Sequence, residues 1–345
     1  MKAAVYDTFN GAIEIRQVDD PVVSDTDAII EVKASGICRS DWHGWKGHDP
    51  DIRLPHVPGH EFSGIVKEVG SKVSLFQAGD RVTAPFCCGC STCPRCMKGN
   101  QHICDDHFQP GFTDWGSFAQ YVRIKHADFN LVRLPSSLDF VSAAGLGCRF
   151  ITAFHGIVNQ GKVEPSMLVA IHGCGGVGLS AVMIAAVYGA KVIAVDINEE
   201  NLQRAKSLGA AYTVNAARVN VVDQVLEITG DGADLSMDAL GSHETSRNSI
   251  HCLAKKGKHI QVGILGNEND ITVSTADLIA KEIELIGSHG MPLADYEIIF
   301  DLISSGKIDL SQLIDRRVRL EDIHQELLNM DSYNNSGMVI IDQFG

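Results

Sequence analysis

The chain has 345 residues, 45% hydrophobic and 21% charged, and this composition excludes a disordered chain, a collagen-like fibre and a coiled coil. The length corresponds to about two domains, each large enough to bury its own core without disulfides. Because 43 acidic and 29 basic residues leave a net charge of −14, we expect no nucleic-acid partner and no attachment to anionic membranes.

The first residues, 1–7, lack the apolar core of a secretory signal peptide, so we expect a reducing, cytoplasmic location. In that setting clustered cysteines more often bind metal than form disulfides. Six of the ten cysteines fall within residues 87–104. The longest apolar stretch, 167–197, is interrupted by His172, Lys191 and several glycines, so it predicts strands and a helix rather than a transmembrane segment.

Residues 1–150 are predicted to form a β-domain of short strands and many turns. Two of these strands are predicted over 28–34 and 63–70, each bounded by turn residues. Eight of the ten prolines also fall in this part of the chain, which favours a loop-rich β-domain.

Three candidate metal ligands, Cys38, His60 and Cys148, are spread along this β-domain. Each residue alone has an ordinary interpretation, such as a small buried side chain or a core histidine. Together, two thiolates and one imidazole are one ligand short of a tetrahedron, and a catalytic zinc needs that open position for water or substrate.

A second candidate metal site is formed by four closely spaced cysteines: Cys90, Cys93, Cys96 and Cys104. Four thiolates at such spacings predict a closed, structural zinc site. An iron–sulfur cluster is the alternative, but its usual sequences have a different fourth spacing and often a following proline, whereas Asp105 follows here. Cys87 and Cys88 lie outside the spacing and are assigned no ligand role.

The sequence pattern changes near residue 150, where predicted strands and helices begin to alternate. This order predicts an α/β domain with a doubly wound parallel sheet. The predicted elements are a strand over 167–172, a helix over 179–188, a strand over 191–196, a helix over 198–208, strands over 258–263 and 283–287, helices near 294–305 and 320–330, and a last strand over 338–342.

A glycine-rich turn joins the first predicted strand of this part to its helix. It matches G-x-G-x-x-G and comprises Gly173, Cys174, Gly175, Gly176, Val177 and Gly178. Between a strand and a helix, this pattern is typical of a turn that binds the pyrophosphate of a dinucleotide. Asp196 ends the second strand, where a carboxylate would bind the ribose hydroxyls and repel a 2′-phosphate, which favours NAD over NADP.

Six segments, taken as a set and in their order along the chain, resemble the zinc-dependent medium-chain alcohol dehydrogenases, and the resemblance covers essentially the whole chain. They are the Cys38 segment, Gly59-His60-Glu61, Gly79-Asp80-Arg81-Val82, the four-cysteine segment, Cys148 and the glycine-rich turn. The resemblance implies a GroES-like β catalytic domain, 1–149 plus 288–345, and a Rossmann NAD-binding domain, 150–287. It also implies reversible hydride transfer between a primary or secondary alcohol and NAD. The expected assembly is a homodimer or homotetramer, with strand 283–287 as a plausible interface edge.

The resemblance further implies roles at two zinc ions per chain. Cys38, His60 and Cys148 would bind the catalytic zinc, and the four-cysteine segment would bind the structural one. Glu61 would be able to approach the catalytic metal during ligand exchange, and Asp41 would orient His60.

Other residues would serve the substrate and the cofactor. Ser40 would accept the alcohol proton, and His43 would pass it to solvent through the cofactor ribose. Phe86 would line the substrate pocket, and Trp115 is a further candidate for its wall. The predicted cofactor contacts are Arg39 to the pyrophosphate, Thr152 to the nicotinamide, and the backbone of Val262, Gly263 and Ile264 to the nicotinamide.

One departure and three alternatives accompany this interpretation. Arg149 follows Cys148 where the resemblance implies a small residue, so we expect the local pocket or the cofactor contacts to differ. A polyol, amino-alcohol or formaldehyde dehydrogenase of the same fold is the first alternative, although Cys148 argues mildly against a polyol enzyme. A zinc-free reductase would lack both cysteine sets, and a non-enzymatic zinc-ribbon protein would leave Ser40, His43 and Asp196 unexplained.

Overall fold

A computed structural model describes residues 1–265, 270–332 and 336–345, which divide into two compact units. The first unit comprises Met1–Ile151 and Gly290–Gly345, and the second comprises Thr152–His289. The chain passes from the first unit to the second at 151/152 and back at 289/290, and these two points are called the crossings. The predicted domain boundaries, 149/150 and 287/288, each lie two residues before a crossing. Within the described part of the chain, no helix combines the length and apolarity needed to cross a bilayer.

The first unit is built mainly from strands and very short helices. Its elements before the first crossing are β1 (Lys2–Val5), β2 (Glu14–Gln17), β3 (Ala28–Ile37), α1 (Arg39–Trp45), β4 (Glu61–Val69), β5 (Arg81–Thr83), α2 (Pro94–Met97), β6 (Tyr121–Ile124), α3 (Ala127–Asn130), β7 (Val132–Arg133), α4 (Phe140–Ala144) and α5 (Arg149–Phe154), which reaches into the second unit. After the second crossing they are α11 (Tyr296–Ser304), β14 (Ile314–Arg319), α12 (Ile323–Asn329) and β15 (Met338–Gln343).

Among the described residues of the first unit, the main sheet has the strand order β14-β15-β3-β4-β5-β7, and β6 also pairs with β3. Strand β15 pairs antiparallel with β3, with Val339 opposite Ile37. Large apolar side chains such as Phe62 and Ile30 are buried against this sheet. Because β3 ends at Ile37 and the antiparallel β4 begins at Glu61, these two adjacent strands bring Cys38 and His60 to the same end of the sheet.

The second unit alternates strands and helices. Its elements are β8 (Leu168–His172), α6 (Gly176–Val187), β9 (Lys191–Asp196), α7 (Glu199–Ser207), β10 (Ala210–Asn215), α8 (Val221–Thr229), β11 (Ala233–Asp238), α9 (His243–His251), β12 (Leu253–Gln261), α10 (Thr275–Lys281) and β13 (Glu284–Gly287). The described strands form a parallel sheet of order β10-β9-β8-β11-β12-β13. From β8, the chain adds successive strands towards one side of the sheet up to β10, and from β11 it adds them towards the other side. Ligands bind at such a switch in strand order, here between β8 and β11, in open sheets of this kind.

Element boundaries differ from the predicted ones where glycine or a metal-binding turn is involved. Helix α6 begins at Gly176, three residues before the predicted start, because its first turn is built from the glycines that the apolar pattern does not count. Helix α1 and strand β14 are among the elements that were not predicted. Helix α1 is only seven residues long and consists mostly of polar residues and two tryptophans, so it has no clear apolar periodicity.

Candidate zinc centre and dinucleotide site

The Asp41 carboxylate fixes the turn that carries the first candidate zinc ligand. Cys38 lies between β3 and α1, and its backbone N–H donates to Asp41 Oδ2 at 2.8 Å. The other oxygen, Oδ1, accepts from the backbone N–H of Gly59 at 3.1 Å and lies 2.9 Å from His60 Nδ1. Asp41 is itself buried, so one side chain ties the Cys38 turn to the His60 turn.

The same contact determines which nitrogen of His60 faces the site. Since Nδ1 is hydrogen-bonded to Asp41, Nε2 is the nitrogen left to bind a ligand. Nε2 is buried and has no hydrogen-bond partner among the residues that the structure describes. A buried imidazole nitrogen without a partner is costly unless a ligand such as a metal ion satisfies it.

Four potential ligand atoms converge here, from Cys38, His60, Glu61 and Cys148. All lie within 4.8 Å of one another, and all four residues are buried. Cys148 follows Gly147, whose carbonyl accepts from the Phe86 backbone N–H at 2.7 Å. Two sulfurs and one imidazole are the donor set expected of a catalytic zinc, so the residues fit that ion.

The protonation of these ligands is coupled. The hydrogen bond between Cys148 and Cys38 holds the pKa of Cys38 well below its ordinary value and raises that of Cys148. Burial opposes the cation of His60, but Asp41 and Cys38 still hold the pKa of His60 well above its ordinary value. Because metal binding has to displace these protons, the affinity of the cluster for metal rises with pH.

Glu61, the fourth residue of the group, is paired with Arg149. Glu61 Oε1 accepts from the backbone N–H and from Nε of Arg149, both at 2.9 Å, and Oε2 accepts from Nε at 3.0 Å and from Nη2. Both side chains are buried, at 0% and 6% exposure. Burial raises the pKa of Glu61, and the guanidinium opposes this effect. Arg149 therefore takes part in the zinc centre through Glu61.

Helix α1 presents the two residues predicted to move the proton. Ser40 Oγ lies 3.8 Å from Cys38 Sγ, next to the zinc centre. His43 Nδ1 lies 3.0 Å from Nδ1 of His48, a residue that the sequence did not single out. Burial lowers the pKa of His43 to about 4, and Arg39 and His48 act in the same direction. The His43 imidazole is therefore neutral near pH 7, so it would relay a proton between its two nitrogens and not hold one.

The aromatic side chains next to His60 differ from those predicted in one respect. The ring of Phe86 lies 6.2 Å from that of His60, beside the zinc centre as expected. The ring of Phe112, which sequence reasoning missed, is closer at 5.1 Å. Trp115 donates its indole N–H to the Pro55 carbonyl at 3.1 Å and packs against an apolar cluster of the first unit.

Arg39, the predicted pyrophosphate ligand, begins helix α1. Its guanidinium lies 3.7 Å from the centre of the Trp42 ring and donates to the Met330 carbonyl. The side chain is thus held at the protein surface beside Trp42. A contact with a pyrophosphate stays a prediction for this residue.

The four-cysteine segment forms the second group of metal-ligating side chains. The sulfurs of Cys90, Cys93, Cys96 and Cys104 lie within 4.8 Å of one another. Three of them accept backbone N–H groups in a row: Cys90 from Cys93 at 3.3 Å, Cys93 from Cys96 at 3.4 Å, and Cys104 from Cys90 at 3.3 Å. Hydrogen bonds from Thr92 and the backbone lower the pKa of Cys90 to about 6. Such N–H groups stabilise thiolates, and the closed four-sulfur set fits a structural zinc.

The remaining cysteines have a different environment. Cys87 and Cys88 are buried, and burial raises the pKa of both thiols, that of Cys87 to about 12. Within the described residues they belong to neither ligand group. Cys174 and Cys252 are also buried.

The glycine-rich turn follows β8 and opens α6. A Cβ on Gly178 would lie 1.8 Å from the Gly173 carbonyl oxygen, and Gly173 itself has φ +90°, so neither position accommodates a side chain without rearrangement. A Cβ on Gly175 would meet nothing within 4 Å, which leaves its backbone open to a ligand. Gly176 and Val177 form the first turn of α6, a twelve-residue helix. These features fit a dinucleotide pyrophosphate.

Asp196 ends β9 beside this turn. Its Oδ2 accepts from the Cys174 backbone N–H at 2.7 Å, and Oδ1 accepts from the Asn198 backbone N–H at 2.8 Å. Each carboxylate oxygen can accept a further hydrogen bond. Asp196 therefore holds the glycine-rich turn in place and also offers acceptors for ribose hydroxyls.

The segment predicted to contact the nicotinamide is held by a residue that the sequence did not reveal. The backbone N–H groups of Val262 and Gly263 donate to the Asp238 carbonyl at 3.1 and 3.0 Å. The Asp238 side chain accepts from the backbone N–H groups of Leu240 and Gly241, each at 3.0 Å. Ile264 follows and is 79% exposed. Asp238 ends β11, a strand that was not predicted from the sequence.

Thr152 is the other predicted nicotinamide contact. Its side-chain hydroxyl is buried and has no hydrogen-bond partner among the described residues. A buried hydroxyl without a partner at this position is consistent with a hydrogen bond to a polar group of a bound ligand.

Comparison with known proteins identifies the family. Residues 24–136 match the model of the alcohol dehydrogenase GroES-like domain, and residues 176–305 match that of the zinc-binding dehydrogenases. An NAD-dependent alcohol dehydrogenase of Sulfurisphaera tokodaii is 31% identical over 95% of this chain and 96% of its own. A sorbitol dehydrogenase of Halalkalibacterium halodurans is 31% identical over 88% of each chain.

Solved structures agree with this grouping. The alcohol dehydrogenase of Thermus sp. ATN1 superposes with a TM-score of 0.93, is 29% identical, and is matched over 99% of this chain and 100% of its own. The chain belongs to the zinc-dependent medium-chain alcohol dehydrogenases. The predicted family, its GroES-like and Rossmann fold class, and its class of enzyme are confirmed.

Proposed function

We propose that the protein is a zinc-dependent, NAD-linked oxidoreductase that interconverts a primary or secondary alcohol and its aldehyde or ketone. The observation that supports this most directly is the convergence of Cys38, His60 and Cys148, with the unpartnered Nε2 of His60 among them. Bound zinc makes an alcohol more acidic, and bound NAD accepts a hydride. The protein's part is to position both and to remove the proton.

The proton path begins on helix α1. Ser40 Oγ, beside the proposed zinc centre, accepts the alcohol proton while its own hydroxyl proton moves on towards His43. His43, neutral near pH 7 since its pKa is lowered to about 4, passes the proton towards solvent. Phe86 and Phe112 place apolar rings beside His60 and exclude water from this side.

The dinucleotide is bound by the second unit. Gly173 and Gly178 allow the tight turn, Gly175 leaves its backbone open to the pyrophosphate, and Asp196 accepts from the adenosine ribose and disfavours a 2′-phosphate. NAD is therefore the preferred cofactor, in agreement with the name of the Sulfurisphaera tokodaii relative. Arg39, Thr152 and the backbone of residues 262–264 complete the proposed set of cofactor contacts.

A polyol substrate is the second candidate, because one of the relatives is named a sorbitol dehydrogenase and another a D-xylulose reductase. The sulfur ligand Cys148 favours the simple alcohol, since polyol enzymes of this family often replace this thiolate by a carboxylate. The proposed assembly is a cytoplasmic homodimer or homotetramer, with β13 at the sheet edge as its contact.

A screen of NADH absorbance at 340 nm tests the proposal. The purified protein is assayed with NAD or NADP and a panel of primary, secondary, aromatic and polyhydric alcohols. We expect turnover with NAD and at least one simple alcohol. Turnover restricted to sorbitol or xylitol would favour the polyol candidate, and no turnover with any alcohol or aldehyde by a zinc-loaded protein would contradict the proposed function.

A further inference from the structure

We propose that Arg149 is a positioning residue that holds the Glu61 carboxylate away from the catalytic zinc, so that the fourth coordination position stays open for substrate. This inference rests on the proposed function, because it concerns the same zinc. The structure shows that the Arg149 side chain contacts the Glu61 carboxylate.

The problem that Arg149 solves is visible in the ligand group. A Glu61 carboxylate oxygen lies within 4.8 Å of the Cys38, His60 and Cys148 ligand atoms. Carboxylates are good zinc ligands, and a fourth protein ligand would give a closed site of the structural type. A catalytic site in this cluster therefore requires something that keeps Glu61 out.

The contacts of Arg149 do this. Its backbone N–H and Nε reach Glu61 Oε1, while Nε and Nη2 reach Oε2, so both carboxylate oxygens are engaged. The two-point contact suits the planar guanidinium and would not be reproduced by an ammonium group. Since Arg149 directly follows Cys148, the residue that restrains Glu61 is attached to a zinc ligand.

The surroundings of the pair leave space for this arrangement. Gly36 lies in β3 beside the pair, and a Cβ there would be 2.3 Å from Glu61 Oε2 and 2.8 Å from Arg149 Nη2. Both charged side chains are almost completely buried, so solvent cannot replace the guanidinium as a partner of the carboxylate. Without Arg149, a zinc ion bound by Cys38, His60 and Cys148 would be a cation able to compensate the buried carboxylate.

The proposal is tested with cobalt in place of zinc. Cobalt-loaded protein is titrated with imidazole, which binds an open coordination position and shifts the visible absorption bands. In Arg149→Met we expect Glu61 to occupy that position, with altered bands and at least a tenfold loss of imidazole affinity. The four-cysteine site contributes the same bands to every variant and serves as the reference.

Two further variants keep the test decisive. Arg149→Met combined with Glu61→Leu replaces the buried pair by apolar side chains and should restore wild-type imidazole affinity, because no carboxylate remains to bind the metal. Arg149→Lys retains the charge without the two-point contact, and we expect an intermediate loss of about threefold even if the methionine variant does not fold.

The proposal is overturned if imidazole affinity is unchanged in the single variants, or if the loss persists in the double variant. These outcomes are distinct from a failure of the proposed function. If the wild-type protein binds cobalt only at the four-cysteine site, the proposed catalytic centre is wrong. If it binds two cobalt ions and Arg149 has no effect on imidazole binding, only the inference about Arg149 fails.

Discussion

At the scale of single residues, Asp41 holds together the turns and the ring that carry the ligands of the proposed zinc centre. Its two oxygens hold the Cys38 backbone, the Gly59 backbone and His60 Nδ1, all in a buried environment. The turn carrying one ligand and the ring carrying another thus depend on a residue that does not touch the metal. Partners of this kind commonly affect metal affinity nearly as strongly as the ligands.

Replacement of Asp41 tests this dependence. In Asp41→Ala, two backbone N–H groups and the His60 ring lose their buried acceptor, so we expect zinc affinity at the catalytic site to fall by roughly 10- to 100-fold. Competition with a chromogenic chelator measures the affinity. Asp19→Ala replaces an exposed acidic residue of the same unit, so it is the control and should retain wild-type affinity. Equal affinities in Asp41→Ala and wild type would contradict the role of Asp41.

A buried histidine of the second unit gives a residue-scale prediction about pH. Burial lowers the pKa of His172 to about 4, with His259 acting in the same direction and Asp238 against it. Between pH 6.5 and 4 the unfolded chain therefore binds a proton that the folded chain does not. The free energy of unfolding is highest above pH 6.5 and falls as the pH drops towards 4.

Urea unfolding at pH 7 and pH 5 measures this effect. We expect His172 to account for about 2 kcal/mol of the stability lost between these pH values, and His172→Asn to remove that part of the loss. The exposed His251 is the control, and His251→Asn should leave the difference between the two pH values as in wild type. An unchanged difference in His172→Asn would show that the group does not stay neutral in the folded protein.

At the scale of elements, the turn between β8 and α6 is stabilised from β9. Asp196 accepts the Cys174 backbone N–H at 2.7 Å, so the end of one strand fixes the glycine-rich turn that follows another. The close approach at Gly178 and Gly173 then sets where α6 begins. The proposed binding surface for a pyrophosphate is thus formed by three adjacent elements.

Asp196 variants separate its two roles. Asp196→Ala loses both the acceptor for the turn and the acceptors for ribose, so we expect the Kd for NAD to rise at least tenfold and the preference over NADP to shrink. Asp196→Asn keeps a hydrogen-bond acceptor but loses the charge, so it should mainly relax the rejection of NADP. Isothermal titration with both cofactors measures these changes, and unchanged cofactor preference in both variants would refute the assignment.

At the scale of the whole molecule, the sequence reveals best the sites whose residues are close together in the chain. Cys90 to Cys104 and Gly173 to Gly178 are local patterns, and the structure brings each set together as predicted. Cys38, His60 and Cys148 are separated by up to 110 residues, so spacing alone could not group them. Their donor types suggested one metal site, and the resemblance to a family implied that they bind one zinc. The adjacent ends of β3 and β4 explain the proximity of Cys38 and His60.

Interactions between distant positions without a motif could not be predicted. Arg149 and Glu61 are 88 residues apart, and no pattern in either segment indicates an ion pair. The proximity of Phe112 to His60 and the contact of His48 with His43 depend in the same way on how turns pack. The alternation of strands and helices, by contrast, was enough to predict the parallel sheet of the second unit.

The central claim, a catalytic zinc bound by Cys38, His60 and Cys148 beside a separate structural zinc, is tested most directly by the metal content of the purified protein. Inductively coupled plasma mass spectrometry should give two zinc ions per wild-type chain and one in Cys148→Ala, which should also lack dehydrogenase activity. Cys252→Ala removes a buried cysteine outside both ligand groups and should retain both zinc ions. Two zinc ions in Cys148→Ala would contradict the assignment.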